Sequence, residues 1–178
     1  YNWSTGSSSS EYHLNNGNGL DGTGKLSGLL YCTTRNKFVL SWVANWSGSS
    51  STQFVTFDIN TSTGALSNFT KTELGSNTRT HDIEYCGGGK FFSCHRLMSN
   101  NTARIIGPHT INSNGSITIN TSELDFVASD TSTHIARMEF NSDYSKFVIG
   151  YVRSSNSNAY ARCGTWNGSG GAGSGGIS

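Results

Sequence analysis

Helical periodicity, long apolar runs and clustered charge are all scarce in this chain of 178 residues, and each scarcity removes a class of protein. No window sustains a 3.6-residue apolar period, and the chain is crowded with Ser, Thr, Asn and Gly, so long helices are excluded. No apolar stretch approaches the roughly 20 residues of a membrane-spanning helix, and membrane insertion is not expected. No signal-peptide pattern is visible either, although a processed or trimmed chain would have lost one. Lys and Arg number 12 against 11 Asp and Glu, with no basic run. Nucleic acid is therefore not expected as a ligand, because phosphate binding leans on clustered cations. The single proline, Pro108, leaves Gly, Asn and Ser to make the turns.

Catalytic signatures are equally sparse. The chain holds no His-Glu-x-x-His, no Gly-x-Ser-x-Gly and no Cys-x-x-Cys, which removes the common zinc, hydrolase-elbow and redox motifs. A sialidase-type Asp-box is missing as well, since Gly164-Thr165-Trp166 keeps only its tail. His81 and His134 each follow a Thr shortly before an expected strand, and His81 is followed by Asp82 and Glu84. Convergence of these groups would be needed for a metal or acid–base site, and a hydrogen-bonded His at a strand entrance is the simpler expectation. No spacing among Asp82, Glu84, Asp125, Asp130 and Glu139 selects a carboxylate pair for glycoside hydrolysis. No enzyme activity, cofactor or metal is expected.

What the chain has is a repeat. An aromatic residue, a short polar turn, then Lys-Phe and an apolar run recur at Tyr31 to Leu40, Tyr85 to Ser93 and Phe140 to Ile149. Lys37 to Lys90 is 53 residues and Lys90 to Lys146 is 56. A fixed period of this size marks units that cannot bury their apolar faces alone and stack on one another. Aligned on the lysines, Phe38, Phe91 and Phe147 coincide, as do Val39, Phe92 and Val148, and Trp42, His95 and Tyr151. Ser41, Cys94 and Gly150 share a position that is always small, which predicts a tight approach to a neighbouring sheet.

Turn chemistry and alternation predict the strands. Ser27 to Cys32 and Lys37 to Val43 flank a four-residue loop, Thr-Thr-Arg-Asn, and Gly87-Gly88-Gly89 and Asn141 to Ser145 serve the later units. The triple-Gly loop is expected to set Cys86 opposite Lys90 and Cys94 opposite Asp82. A second hairpin joins Gln53 to Ile59 with Ala65 to Phe69. Four antiparallel strands per unit result. Phe38-Val39-Leu40 and Phe147-Val148-Ile149 are apolar on both strand faces, which suits sheets covered on both sides. The expectation is an all-β fold of four-stranded repeats of about 55 residues, stacked as β-propeller-like blades. It forms one repeat domain: a partial unit 1–18, repeat one 19–78, repeat two 79–130 and repeat three 131–178 with its Gly-rich end. Three periods are fewer than the four to eight of closed propellers. The chain is therefore expected to be a segment of a longer protein or to be completed by other copies.

Cys32 and Cys86 occupy the same place in successive repeats, and Cys86 and Cys94 fall about 13 Å apart along a hairpin at the usual strand rise. Neither pair can bridge. A bond between Cys94 and Cys163 would need different units to bring them close, so buried free thiols are the expectation. Eight Asn-x-Ser/Thr sequons occur, and turn-borne Asn45, Asn60 and Asn167 are the candidate glycan carriers. Aromatic faces ringed by Asn and Ser suit sugar rings. On that ground Trp46, Trp166 and Trp3, with Asn45, are the candidate ligand contacts, and Trp42 is expected in a core or interface.

The unit made of Leu-Tyr, Asn-Lys-Phe-Val, a polar loop and Phe-Asp-Ile-Asn-Thr-Ser-Thr-Gly resembles the degenerate β-propeller repeats of phage tail-fibre and virion-surface proteins, notably marine and cyanobacterial ones. The likeness covers residues 19–170 and departs at Tyr85-Cys86-Gly87-Gly88-Gly89, where a polar Asp or Asn turn is expected. It implies a virion-associated or extracellular role in structure or host attachment. The partners it implies are a host-surface glycan or protein, other virion proteins, or further copies of the chain. The alternatives are a self-assembling extracellular structural protein and a propeller-fold glycan-active enzyme.

Overall fold

The computed structural model describes residues 24–44, 51–76, 78–97, 102–127, 133–143, 145–153 and 156–177. These fold as antiparallel β-sheets, with no α-helix among them. Sheet 1 is β1 (Gly24–Cys32), β2 (Lys37–Ala44), β3 (Ser51–Ile59) and β4 (Leu66–Ser76), hydrogen-bonded in chain order. Sheet 2 follows with β5 (Thr78–Gly87), β6 (Lys90–Leu97) and β7 (Ala103–Ile111). Its fourth place is shared by β8 (Ile117–Thr118) and β9 (Glu123–Val127), both paired with β7. Sheet 3 is β10 (Thr133–Asn141), β11 (Lys146–Arg153) and β12 (Ala159–Thr165). The expected four strands thus appear intact only in sheet 1. In sheet 3 the fourth place holds an isolated bridge from Trp166 to Ile177, because the Gly-rich end turns back over Ala172–Gly176 rather than extending. Among the described residues the sheets do not close into a barrel or a propeller ring.

The hairpins follow their turn residues. Cys32 pairs with Lys37 across the Thr33 to Asn36 loop, with Asn36 at a φ of 51°. In sheet 2 Gly87, not Cys86, pairs with Lys90. Gly88 and Gly89 form the two-residue turn at φ of 60° and 76°, a conformation that glycine adopts without a Cβ clash. The extra residue becomes a bulge between Tyr85 and Gly87, and Cys94 still falls opposite Asp82.

Successive sheets pack back to front, the back of one on the front of the next. Leu30, Cys32, Val39 and Phe54 on the back of sheet 1 pack on Ile83 and Phe91 on the front of sheet 2. Phe92, Cys94 and Ile105 on the back of sheet 2 pack on Met138, Phe147 and Ile149 on the front of sheet 3. First strands adjoin, with β5 packed against both β1 and β10. Gly28 permits that approach: a Cβ there would lie 2.8 Å from Ile83 Cγ1 and 3.0 Å from the Ile83 amide nitrogen.

Of the aligned small residues, Ser41 and Cys94 are fully buried at such contacts, as the tight approach requires. Gly150 departs from that expectation, since a Cβ there would meet nothing within 4 Å. Likewise Val148 is 44% exposed, so β11 is covered on one side only and reads as strict alternation of exposed and buried residues. The cause is the same for both: no following sheet covers the back of sheet 3 among the described residues. All four cysteines are free, with Cys32, Cys86 and Cys94 buried and Cys163, on that uncovered back, exposed rather than buried.

Candidate contact surface

Polar chemistry inside the protein is concentrated at the interface of sheets 1 and 2. β6 turns Ser93 and His95 toward sheet 1 beside Phe91, β7 adds His109, β5 adds Thr80 and β3 adds Thr52, and all five are fully buried. The backbone N–H of Asn120 donates to His109 Nδ1 at 3.3 Å, which leaves the proton of a neutral ring on Nε2. That nitrogen donates to Ser93 Oγ at 2.8 Å, and the hydroxyl in turn donates to His95 Nε2 at 2.5 Å. His95 Nδ1 then donates to Thr80 Oγ1 at 3.2 Å, Thr80 to Thr52 Oγ1 at 2.8 Å, and Thr52 to the Thr78 carbonyl at 3.3 Å. Every donor in this chain of groups finds an acceptor, and the tautomers follow from that order. Burial pushes the His109 imidazole down to about 3. Burial, then the neighbouring His109, His81 and Arg104, holds His95 well below its usual range. Ser93 thus has the bonding of a nucleophile beside a base, in a place where solvent does not touch it. The arrangement joins sheets 1 and 2 and does not form a cleft.

Carboxylates from β5 serve the next interface. Asp82 accepts from the Met138 amide at 2.9 Å and from its neighbour Ile83 at 3.0 Å, and Glu84 accepts from the Phe140 amide. Two side chains spaced by two residues on β5 therefore satisfy two N–H groups on the edge of β10. Desolvation, then Glu139 and Asp82, pushes Glu84 up to about 7. Desolvation also raises Asp82, against its hydrogen bonds. Arg137 Nη1 donates to the His81 carbonyl at 2.5 Å from the same strand. Arg104 clamps Glu123 and Asp125, the latter at 2.9 Å. His81 is buried, and the side chain of His134 and all of Asp130 lie outside the described residues. Among the described residues no group of three or more His, Cys, Asp or Glu is placed to hold a metal ion.

The expected sugar contacts fare differently. Trp166 is a core residue, 6% exposed, with its ring edge-on to Phe92 at 5.4 Å and to Phe140 at 6.0 Å. Its indole N–H donates to the Gly170 carbonyl at 2.9 Å, because the returning Gly-rich segment lies over it. That overturns its expected place on the surface. Asn60 and Asn167 are exposed, each accepting backbone N–H bonds in its own turn. Trp3, Asn45 and Trp46 lie outside the described residues, the last two between β2 and β3 in sequence. Trp42 is half-buried on the front of sheet 1 and packs with Leu40 and Phe57.

That front carries an aromatic row whose centre is buried, with Leu40, Val55 and Phe57 at 6%, 0% and 5% exposed. Tyr31, Phe38, Phe57 and Phe69 run across all four strands, with centroids 4.8, 5.5 and 5.9 Å apart in succession. The Tyr31 hydroxyl donates to Asn36 Oδ1 at 2.7 Å and fixes the ring at the rim. Leu26 and Leu29 are each 61% exposed and Tyr31 is 42% exposed. Leu29 and Tyr31 share strand parity, but Leu26 joins their face only through the irregularity between Leu26 and Gly28, which the sequence does not announce. The chain matches no family model and no curated protein.

Proposed function

We propose that this protein is a non-catalytic structural and recognition module of a virion fibre or another extracellular surface protein, built from propeller-type blades. The observation that carries the reading is the division of chemistry. Serine, histidine and threonine groups that could react are closed into the interface of sheets 1 and 2, whereas apolar and aromatic groups are presented outward at Leu26, Leu29 and Tyr31. A rigid stack of sheets supports contact through faces and loops without a reaction centre. The host partner is a surface glycan or protein, and Trp46 with Asn45, and Trp3, are the side chains proposed to stack on and hydrogen-bond a sugar. Trp166 has no part in this.

Glycan-array binding of the purified chain tests the reading. Binding to one glycan class, lost in Trp46→Ala and retained in Trp166→Phe, supports it. Absence of binding by folded protein to glycans and to host-surface extracts removes the recognition role. Turnover of a glycoside substrate would contradict the non-catalytic assignment. A second reading, a self-assembling extracellular structural protein, is favoured by the uncovered back of sheet 3, where Val148 is 44% exposed.

A further inference from the structure

We propose that two copies of this chain associate through the backs of their third sheets, related by a two-fold axis. Residues paired across antiparallel strands share a side of the sheet, and on this side two successive rows cross all three strands. One row is Glu139, Val148 and Cys163, the next is Arg137, Gly150 and Ala161, and all six residues are exposed. The middle strands of the other two sheets carry the same alternation of bulk and smallness, Val39 with Ser41 and Phe92 with Cys94, and there all four residues are buried. In sheet 3 nothing lies within 4 Å of a Cβ placed on Gly150. The front of sheet 1 in another copy does not supply the cover, because Leu40, Val55 and Phe57 on it are already buried within the chain.

The two rows select a second sheet 3 as the occupant. A two-fold axis lying between the sheets, across the strands and midway between the rows, sets each strand over its own copy and each row over the other row. Glu139 then faces Arg137 of the second copy, Val148 enters the space above Gly150, and Cys163 lies over Ala161. The axis generates each contact twice, so opposite charges meet at two places along the β10 side and bulk meets smallness at two places along β11. Arg137 is held at that side by its bond to the His81 carbonyl. An axis parallel to the strands would instead set Val148 on Val148 and Gly150 on Gly150, a collision beside a void. The isologous contact uses the face up, so association stops at the dimer. With layers about 10 Å apart and rows about 7 Å apart, the two Cys163 Cα atoms stand about 12 Å from each other. That exceeds disulfide reach but suits a short bismaleimide. The inference rests on the repeat stacking and not on glycan recognition.

Sedimentation of the intact chain at tens of micromolar is expected to show a dimer. Val148→Lys, at an exposed position beside Glu139, is expected to be a monomer with unchanged circular dichroism, and Gly150→Gln, which fills the small place, should repeat that loss if Val148→Lys misfolds. Leu29→Lys, on the exposed first-strand side of sheet 1, should remain a dimer. The bismaleimide should link wild type into covalent dimers through Cys163, the one exposed thiol of the four, and should fail to link Cys163→Ser or the monomeric variants. A monomeric wild type, oligomers that grow beyond the dimer with concentration, a folded Gly150→Gln that still dimerises, or a dimer lost in Leu29→Lys each overturns the proposal.

Discussion

His109 Nε2 lies 2.8 Å from Ser93 Oγ, and both side chains are fully buried. The serine hydroxyl is the middle link between two imidazoles, and its removal leaves a donor on His109 and an acceptor on His95 without partners. Ser93→Ala is expected to lower the unfolding free energy by on the order of 2–4 kcal/mol, read from urea denaturation. A change below about 0.5 kcal/mol would mean that the network carries little of the contact between sheets 1 and 2.

Acid sensitivity follows from the same two rings. In the unfolded chain a histidine takes up a proton near pH 6.5, whereas folded His109 resists it down to about 3 and His95 is depressed in the same direction. Protons then favour the unfolded state, and stability is lost as pH falls from 6.5 toward 3. The slope is up to about 1.4 kcal/mol per pH unit for each ring. Urea midpoints at pH 7.5, 6 and 4.5 should fall in that order, with a shallower fall in His109→Gln.

Glu84 acts in the opposite sense. Its folded carboxyl holds a proton up to about 7, above the usual carboxylate value of 4.5, so its ionisation opposes folding as pH rises through that window. Glu84→Gln keeps an acceptor for the Phe140 amide and removes the charge. Its melting temperature should exceed wild type at pH 8 and converge with it at pH 4.5.

Phe91 is fully buried between Phe54, at 5.2 Å and edge-on, and His109, at 5.0 Å. Phe91→Ala should cost about 3–5 kcal/mol, the range for emptying an aromatic site in a packed core. Its repeat equivalent Phe38 is only half-buried on the front of sheet 1, and Phe38→Ala should cost distinctly less in the same assay.

Much of the architecture was legible because hairpins announce themselves locally. Thr33 to Asn36 and the triple glycine marked their turns, and the lysine-anchored alignment put Ser41 and Cys94 at the same tight place. The end of the chain was harder to read. Trp166 stands in a glycine-rich turn that looks exposed, and only the long-range return of Ile177 covers it. The chain from Asn120 to Thr78 was hidden for a similar reason: Ser93, His95, His109 and Thr52 come from three strands, and nothing in their spacing predicts that they meet. Residue parity showed which side chains share a face but not whether another sheet would lie over it, so Val148 and Gly150 were expected under cover and stand open.

The central claim, a stack of repeats whose last described sheet leaves its back open to another copy, is tested most directly by the native mass of the 178-residue chain in solution. Mass photometry with native mass spectrometry should find a discrete multiple of 19.1 kDa. A single species at 19.1 kDa at every concentration up to tens of micromolar would contradict it.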